Sequence, residues 1–238
     1  MPVSVVAGRS VLFAGPTIGS IGPELIEAAG FEVLPPARRG DISDLSTEPP
    51  GRIVLVDGLF HQFLAVGHME LRSALETGWD VWGLSSMGAI RAFEMRAFGM
   101  KGYGKVYEHF LAEEDFQDDE VALLHAPEWP FESVSEPLVH LRHFLASLER
   151  DSVLRADDAT AVVAQLKSVW YGYRTLDRTN ELIRQFAGSA AADIAAEIAQ
   201  VFSPFRIKTH DVSRFLSQAI WTQDTYEPVP SAAPYSRY

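Results

Sequence analysis

The sequence contains no cysteine, so disulfides, thiolate catalysis and cysteine-based zinc sites are excluded. It also contains no apolar run close to the roughly 20 residues that a membrane-spanning helix needs. The first residues, MPVSVVAGRS, lack the charged start and the long apolar stretch of a secretion signal. Together these absences predict a cytoplasmic protein with no membrane partner.

Positive charge is also scarce. The chain has 20 lysine and arginine residues against 32 aspartate and glutamate residues, which gives a net charge of −12. We therefore expect no nucleic-acid partner, because phosphate binding needs a basic surface. Core-forming residues are present in ordinary amounts: 47% of the chain is hydrophobic and 22% is charged, as in a globular protein of one large α/β domain or two small ones.

Strand-like and helix-like segments alternate over the first third of the chain. Short apolar runs predict strands and helical spacing predicts helices between them. The predicted strands are Ser10–Ala14, Phe31–Leu34, Arg52–Val56 and Trp79–Leu84, the helices are Pro23–Ala29 and Leu64–Glu76, and Pro35–Pro50 is a loop. This alternation predicts an α/β fold with a mostly parallel, Rossmann-like sheet in the N-terminal half.

The rest of the chain is predicted to be a largely helical C-terminal half. Helical spacing covers Met87–Phe98, Tyr103–Ala112, Glu132–Glu149, Asp158–Phe186 with a candidate break at Gly172, Ala190–Phe202 and His210–Thr222. We expect an α/β core over residues 1–150 and a helical region over 151–222 packed on that core. Residues 223–238, which carry three prolines with serine and alanine, are expected to form a flexible tail.

The segment Asp80–Arg91, DVWGLSSMGAIR, carries the strongest functional signal. An apolar run meets two serines and then a glycine and a helical pattern, which predicts a strand, a tight turn and a helix. A serine on such a turn stands clear of the backbone and faces the positive end of the helix, as a hydroxyl nucleophile must. Ser86 is the preferred nucleophile because Gly88 follows it by two positions, and Ser85 is the second candidate. The alternative is a serine that only caps the helix.

Other polar residues lie near the ends of predicted elements. Asp57 follows a strand, where it orients a base, binds substrate, or bonds to nearby amides as a turn aspartate. His68 is a candidate proton carrier, and Glu70 cannot share its helical face. Arg91 lies near the start of a helix, so its charge is balanced either by Glu94 one turn away or by an anionic substrate. We take the three carboxylates and the arginine as substrate-binding candidates.

Two further segments are weaker candidates for bound ions. The acidic run Glu113–Glu120 lacks the glycine and alternating oxygen ligands of a calcium loop, so we expect a solvated loop or a docking surface for a basic protein, and no metal. Gly15–Ser20 suggests a phosphate-binding loop, although the lysine and glycine spacing of nucleotide-binding loops are missing. A small-molecule binder that uses this loop is one hypothesis, and no cofactor is predicted.

Taken together, the motifs resemble the TfuA-like family. The resemblance covers about Leu12–Glu149, and the order and spacing of the motifs make it specific. The matching pieces are LFAGPT (Leu12–Thr17), PPARRGDI (Pro35–Ile42), VDGLF (Val56–Phe60), AVGHMEL (Ala65–Leu71), GLSSMGAIRAFEMRAFGM (Gly83–Met100), QDDEVALLH (Gln117–His125) and VSEPLVHLR (Val134–Arg142).

The resemblance implies a partner of YcaO enzymes, which activate a peptide backbone amide with ATP so that sulfur replaces its oxygen. It also implies hydrolysis of the C-terminal thiocarboxylate of a ThiS-like sulfur-carrier protein, which releases sulfide, and assistance to YcaO in engaging its substrate. The family's site resembles that of a hydrolase with a serine–lysine pair, and its serine maps onto Ser86.

The chain departs from the family pattern at one position. The family's histidine–lysine–glutamate segment maps onto His68, Met69 and Glu70, so the expected lysine is a methionine here. Met69 accepts no proton, and a nearby His68, or else Lys101 or Lys105, is left as the candidate base. The alternative is a noncatalytic adaptor that recruits or activates YcaO.

Overall fold

The structure is a computed structural model that describes residues 8–59, 64–112, 116–128 and 130–223. The chain divides into two compact units. Within the described ranges, the first unit comprises residues 8–112 together with 208–223, and the second comprises 116–207. The domain boundary near residue 150 stays a prediction, and residues 224–238 of the predicted tail lie outside the described ranges.

Five short strands form one sheet in the first unit. They are β1 (Ser10–Phe13), β2 (Glu32–Leu34), β3 (Arg52–Leu55), β4 (Asp80–Leu84) and β5 (Lys101–Tyr103). The order across the sheet is β2-β1-β3-β4-β5, and every neighbouring pair is parallel. The predicted α/β fold with a mostly parallel sheet in the N-terminal half is therefore confirmed.

This strand order fixes where a site is expected. β1 lies between β2 and β3 in the sheet. The connection from β1 to β2 and the connection from β2 to β3 therefore run in opposite directions across the sheet. In open parallel sheets, ligands bind in the crevice outside the carboxyl ends of the strands at such a switch point. The loops that leave β1, β3, β4 and β5 at this edge carry Gly15, Asp57, Ser86 and Lys105 respectively.

Five helices follow the strands of the first unit: α1 (Pro23–Ala29), α2 (Asp41–Leu45), α3 (His68–Glu76), α4 (Met87–Met95) and α5 (Lys105–Ala112). The bounds of α1 follow from its sequence. Pro23 occupies the first turn, where its missing N–H costs nothing, and Gly30 ends the helix in the left-handed conformation with φ +71°.

The second unit is helical. Its helices are α6 (Leu138–Arg150), α7 (Ala156–Ser168), α8 (Leu176–Ala187) and α9 (Ser189–Ala199). A core of leucine, valine, alanine and phenylalanine side chains from all four helices holds the unit together. Together with α10, described next, these helices confirm the predicted largely helical C-terminal half.

The helix α10 (Ile207–Ser217) belongs to the first unit although it is far from the sheet in sequence. Phe215 lies in its last turn and is fully buried. The Phe215 ring is 5.4 Å from the rings of Trp82 and Tyr103 and 5.3 Å from that of Trp221, measured between centroids. α10 therefore covers a face of the sheet that would otherwise expose strand side chains to water.

Two elements depart from the sequence expectations. α2 lies inside the segment predicted as a loop, and its residues Ile42 and Leu45 are buried. The helix was missed because five residues are too few to show a helical period in the sequence. β5 was missed because it has only three residues, one of them Gly102. The predicted break in Asp158–Phe186 is confirmed, since Gly172 lies in a short 3₁₀ helix between α7 and α8.

Truncation of Phe215 tests whether α10 is part of the first unit's core. We expect Phe215→Ala to lower the free energy of unfolding by about 3–5 kcal/mol, because it removes a fully buried ring. Phe98→Ala is the matched control, since Phe98 is 52% exposed, and we expect it to cost less than about 1 kcal/mol. Denaturant unfolding measures both, and equal losses would contradict this account of α10.

The pH dependence of stability tests the buried carboxyl of Asp211 on α10. Burial raises the pKa of Asp211 from 3.8 to about 7, against the lowering effect of the amides of Val106 and Lys105. A carboxyl with a raised pKa stabilises the fold at pH 4 and loses that contribution as the pH rises toward 7. We therefore expect Asp211→Asn to gain stability relative to the wild type between pH 4 and pH 7, measured by urea unfolding. A stability difference that stays constant over this range would contradict the raised pKa.

Candidate functional site

The two serines after β4 form a sharp turn that presents the start of α4. Ser85 has φ +67°, and the N–H of Ser86 donates to the carbonyl of Leu84 at 2.8 Å. This is a γ-turn of the rare positive-φ form, which is strained for any residue with a side chain. Ser86 then takes the N-cap position of α4. The predicted strand, tight turn and helix are confirmed.

Two glycines allow this turn. A Cβ on Gly88 would lie 1.7 Å from the carbonyl oxygen of Leu55, and a Cβ on Gly83 would lie 2.1 Å from the carbonyl oxygen of Gly88. The N–H of Gly88 also donates to Val56 at 3.1 Å. A nucleophile elbow has small residues two positions before and two positions after its nucleophile. Here Gly83 lies two positions before Ser85 and Gly88 lies two positions after Ser86, so the glycines flank the two serines as a pair.

The two hydroxyls differ in their surroundings. Ser85 is fully buried, and its Oγ donates to the carbonyl of Lys208 at 2.8 Å. Ser86 is only 4% exposed, yet its hydroxyl makes no hydrogen bond to any residue that the structure describes and does not cap the helix. The amide of Met87 likewise donates to no carbonyl of the described backbone. A hydroxyl and an N–H are thus both available at the positive end of α4.

The carboxylate of Asp57 is hydrogen-bonded to the loop after β1. Its carboxylate accepts hydrogen bonds from the N–H of Gly15 at 2.8 Å, the N–H of Thr17 at 3.1 Å and the hydroxyl of Thr17 at 2.7 Å. Asp57 is buried, so these bonds occupy both of its oxygens away from water. A phosphate at Gly15–Ser20 would need the amides that Asp57 already holds, and this geometry disfavours the small-molecule hypothesis.

His68, Arg91 and Glu94 form one cluster between α3 and α4. His68 Nε2 lies 2.8 Å from Glu94 Oε2, and Arg91 Nη1 donates to the same oxygen at 2.6 Å. Arg91 Nε also donates to the carbonyl of Val66 at 2.9 Å. Glu94 follows Ser86 by eight positions, about 12 Å along the helix axis. The cluster therefore stands apart from the Ser86 hydroxyl.

The carboxylate of Glu70 is hydrogen-bonded to backbone amides and not to a charged side chain of the described residues. Its carboxylate accepts the N–H of Gly67 at 2.6 Å and the N–H of Gly40 at 3.0 Å. The first bond is the return half of a capping box at the start of α3. The side chain of Met69 is 76% exposed, so a lysine at this position would also extend into solvent.

The two lysines considered as bases lie in different places. Lys101 begins β5 and its ammonium pairs with Asp80, the first residue of β4, at 2.9 Å. Both residues belong to the amino end of the strands, opposite the serine turn. Lys105 begins α5 at the carboxyl edge, where its amide donates to Asp211 at 3.0 Å.

Sequence reasoning missed Lys208, which α10 brings to the serine turn. Lys208 is 1% exposed and its carbonyl accepts the Ser85 hydroxyl. A lysine is almost never fully buried unless it has a partner or a role. No motif surrounds Lys208 in the sequence, so only the fold places it beside Ser85.

The acidic run was expected to be solvated or to bind a basic partner, and this is wrong for Glu120. Glu120 is fully buried and accepts two hydrogen bonds from Arg142, at 2.9 and 2.8 Å. Asp119 accepts one from the buried Arg174 at 2.6 Å. These carboxylates neutralise buried guanidinium groups inside the second unit.

The fold and the serine turn define a class: an α/β protein with a parallel sheet and a serine presented between strand and helix. A family model described as TfuA-like protein matches residues 57–175, half of the chain. The chain belongs to the TfuA-like family, a family associated with YcaO enzymes. No curated protein matches the chain.

Two other properties concern the described residues alone. None of their helices combines the length and the apolar composition needed to cross a bilayer. Their histidine, aspartate and glutamate side chains also form no group of three or more that fits a metal ion.

Substitution of Gly88 tests the backbone contact behind the turn. We expect Gly88→Ala to destabilise the protein by about 3 kcal/mol or more, because the added Cβ overlaps the Leu55 carbonyl. Gly99→Ala is the control: Gly99 has φ +96° but open space around it, so only the conformational cost of about 1 kcal/mol applies. Thermal unfolding compares the two variants. Equal stability would show that β3 and α4 are not in such close contact.

Proposed function

We propose that this protein hydrolyses the C-terminal thiocarboxylate of a ThiS-like sulfur-carrier protein and so supplies sulfide to a YcaO enzyme in peptide backbone thioamidation. The observation that carries the proposal is the Ser86 hydroxyl. It is almost buried at the start of α4, yet it bonds to no described residue. Membership in a family associated with YcaO enzymes supports the choice of pathway.

In the first step, Ser86 Oγ attacks the thiocarboxylate carbon. The oxygen that gains negative charge is stabilised by the Met87 amide and the positive end of α4. The carbon–sulfur bond then breaks, sulfur leaves with the serine proton as HS⁻, and an acyl ester forms on Ser86. The proton thus ends on the leaving sulfur, and the net step consumes no separate base.

In the second step, water attacks the acyl ester. The ester bond to Ser86 breaks, the carrier leaves with an ordinary carboxylate, the serine regains its hydrogen and one proton passes to solvent. The overall reaction consumes one thiocarboxylate and one water. It yields one carboxylate, one HS⁻ and one proton.

The cluster of His68, Arg91 and Glu94 is assigned to binding the carrier. Arg91 lies on the helix that Ser86 begins, and its charge is paired with Glu94 at 2.6 Å. His68 is 55% exposed at its side chain and Arg91 only 14%, so the histidine is the member most open to a protein partner. The distance along α4 places this cluster beside the carrier's tail rather than at the reacting carbon.

A second candidate function is a noncatalytic adaptor for YcaO. No basic side chain in the described ranges hydrogen-bonds to Ser86, and methionine replaces the expected lysine at position 69. An adaptor requires neither. The exposure of Met69 weakens the second point, because a lysine there would extend into solvent and not toward the serine.

Removal of the Ser86 hydroxyl tests the hydrolase. We expect Ser86→Ala to lower the rate of sulfide release from a thiocarboxylated carrier by about 10³-fold or more, because the covalent step is lost. Sulfide is measured colorimetrically, and the carrier's conversion to a carboxylate is followed by mass spectrometry. Ser217→Ala is the control, since it removes an exposed hydroxyl on α10. Sulfide release by Ser86→Ala at the wild-type rate would reject Ser86 as the nucleophile.

A reconstituted thioamidation assay separates the two functions. If the protein is a hydrolase, added sulfide should restore thioamide formation with Ser86→Ala. If it is an adaptor, Ser86→Ala should support the full thioamide yield with carrier alone, and omission of the protein should not be rescued by sulfide.

A further inference from the structure

The first turn of α10 is bonded to three separate loops of the first unit. The carbonyl of Lys208 accepts the hydroxyl of Ser85 at 2.8 Å. The hydroxyl of Thr209 donates to the carbonyl of Thr17 at 2.8 Å. The carboxylate of Asp211 accepts the amides that begin α5, at 3.0 and 3.1 Å. We name residues 208–211 the α10 latch.

All three loops leave the carboxyl ends of strands. Thr17 follows β1, Ser85 follows β4, and the amides held by Asp211 follow β5. The latch is far from these loops in sequence. Thr209 is 192 positions from Thr17, Lys208 is 123 positions from Ser85, and Asp211 is 106 positions from Lys105. Most of the latch is shielded from water, since Lys208 is 1% and Asp211 is 6% exposed. One turn of helix therefore joins the loops that surround the serine turn.

The bond to Ser85 acts on the strained residue of the turn. A non-glycine residue at φ +67° loses about 1–2 kcal/mol relative to an ordinary conformation. Without its hydrogen bond to Lys208, Ser85 would lose an interaction that stabilises this strained conformation. A change of φ at Ser85 would rotate the peptide that leads to Ser86 and would displace both the hydroxyl and the Met87 amide.

We propose that the α10 latch is a positioning element for Ser86: it holds Ser85 in the left-handed conformation and so directs the Ser86 hydroxyl and the Met87 amide toward one point. Ser85 is then a positioning residue and not a nucleophile. The latch lies outside residues 57–175, the segment that defines the family match. Its catalytic consequence depends on the proposed hydrolysis, whereas its structural consequence does not.

Two substitutions of Ser85 test the conformational part of the proposal. Ser85→Ala and Ser85→Gly both remove the bond to Lys208, but only glycine adopts positive φ without strain. We expect Ser85→Ala to lower kcat for sulfide release by about tenfold with KM unchanged within about twofold. We expect Ser85→Gly to recover kcat to within about threefold of the wild type. Equal loss of kcat in both variants would contradict the proposal.

Hydrogen exchange tests positioning without relying on catalysis. We expect Thr209→Val, which removes one hydroxyl with little change of shape, to speed amide exchange in residues 84–90 by about fivefold. Thr222→Val is the matched control, because the Thr222 hydroxyl donates to Ala219 at 2.7 Å, outside the latch. It should leave exchange in residues 84–90 unchanged.

The outcomes separate the two proposals. If the wild type releases no sulfide, the hydrolase proposal fails, and exchange in Thr209→Val and Ser85→Ala decides the latch alone. If exchange in residues 84–90 stays at the wild-type rate in both folded variants, the latch proposal fails, whatever the activity.

Discussion

The backbone contact between Gly83 and Gly88 governs the geometry of the candidate site. These two glycines place no side chain between the end of β4 and the first turn of α4. Gly88 also lies against the carbonyl of Leu55, so the helix begins in direct contact with β3. The chain must reverse within two residues, and this forces Ser85 to positive φ. Strain of this kind persists only where surrounding structure holds it in place. The hydroxyl of Ser85 supplies part of that support through α10.

Buried carboxylates hold loops together at the same edge of the sheet. Asp57, Glu70 and Asp211 each accept hydrogen bonds from two backbone amides of other segments or of a helix start. A carboxyl group is suited to this task, because its two oxygens accept several hydrogen bonds. The acidic composition of the chain therefore reflects, in part, how its loops are held. It is a poor guide to the charge of a partner.

Local sequence patterns predicted the serine turn well, because the signal lies within Asp80–Arg91 and needs no distant residue. They also predicted the parallel sheet and the helical second half. They could not show how the candidate site is completed, since Lys208 and Asp211 reach it only through the tertiary packing of α10. The buried role of Glu120 was missed for the same reason: its partner Arg142 is 22 positions away.

The position of α10 after the second unit in the sequence has a consequence for biosynthesis. When a ribosome has made the five strands, Trp82 and Tyr103 still lack the phenylalanine that covers them, and the whole second unit must be translated before it arrives. During that interval the nascent sheet exposes an apolar face, which favours chaperone binding or aggregation. The hydrogen bond between Ser85 and Lys208 likewise cannot form until the second unit has been translated.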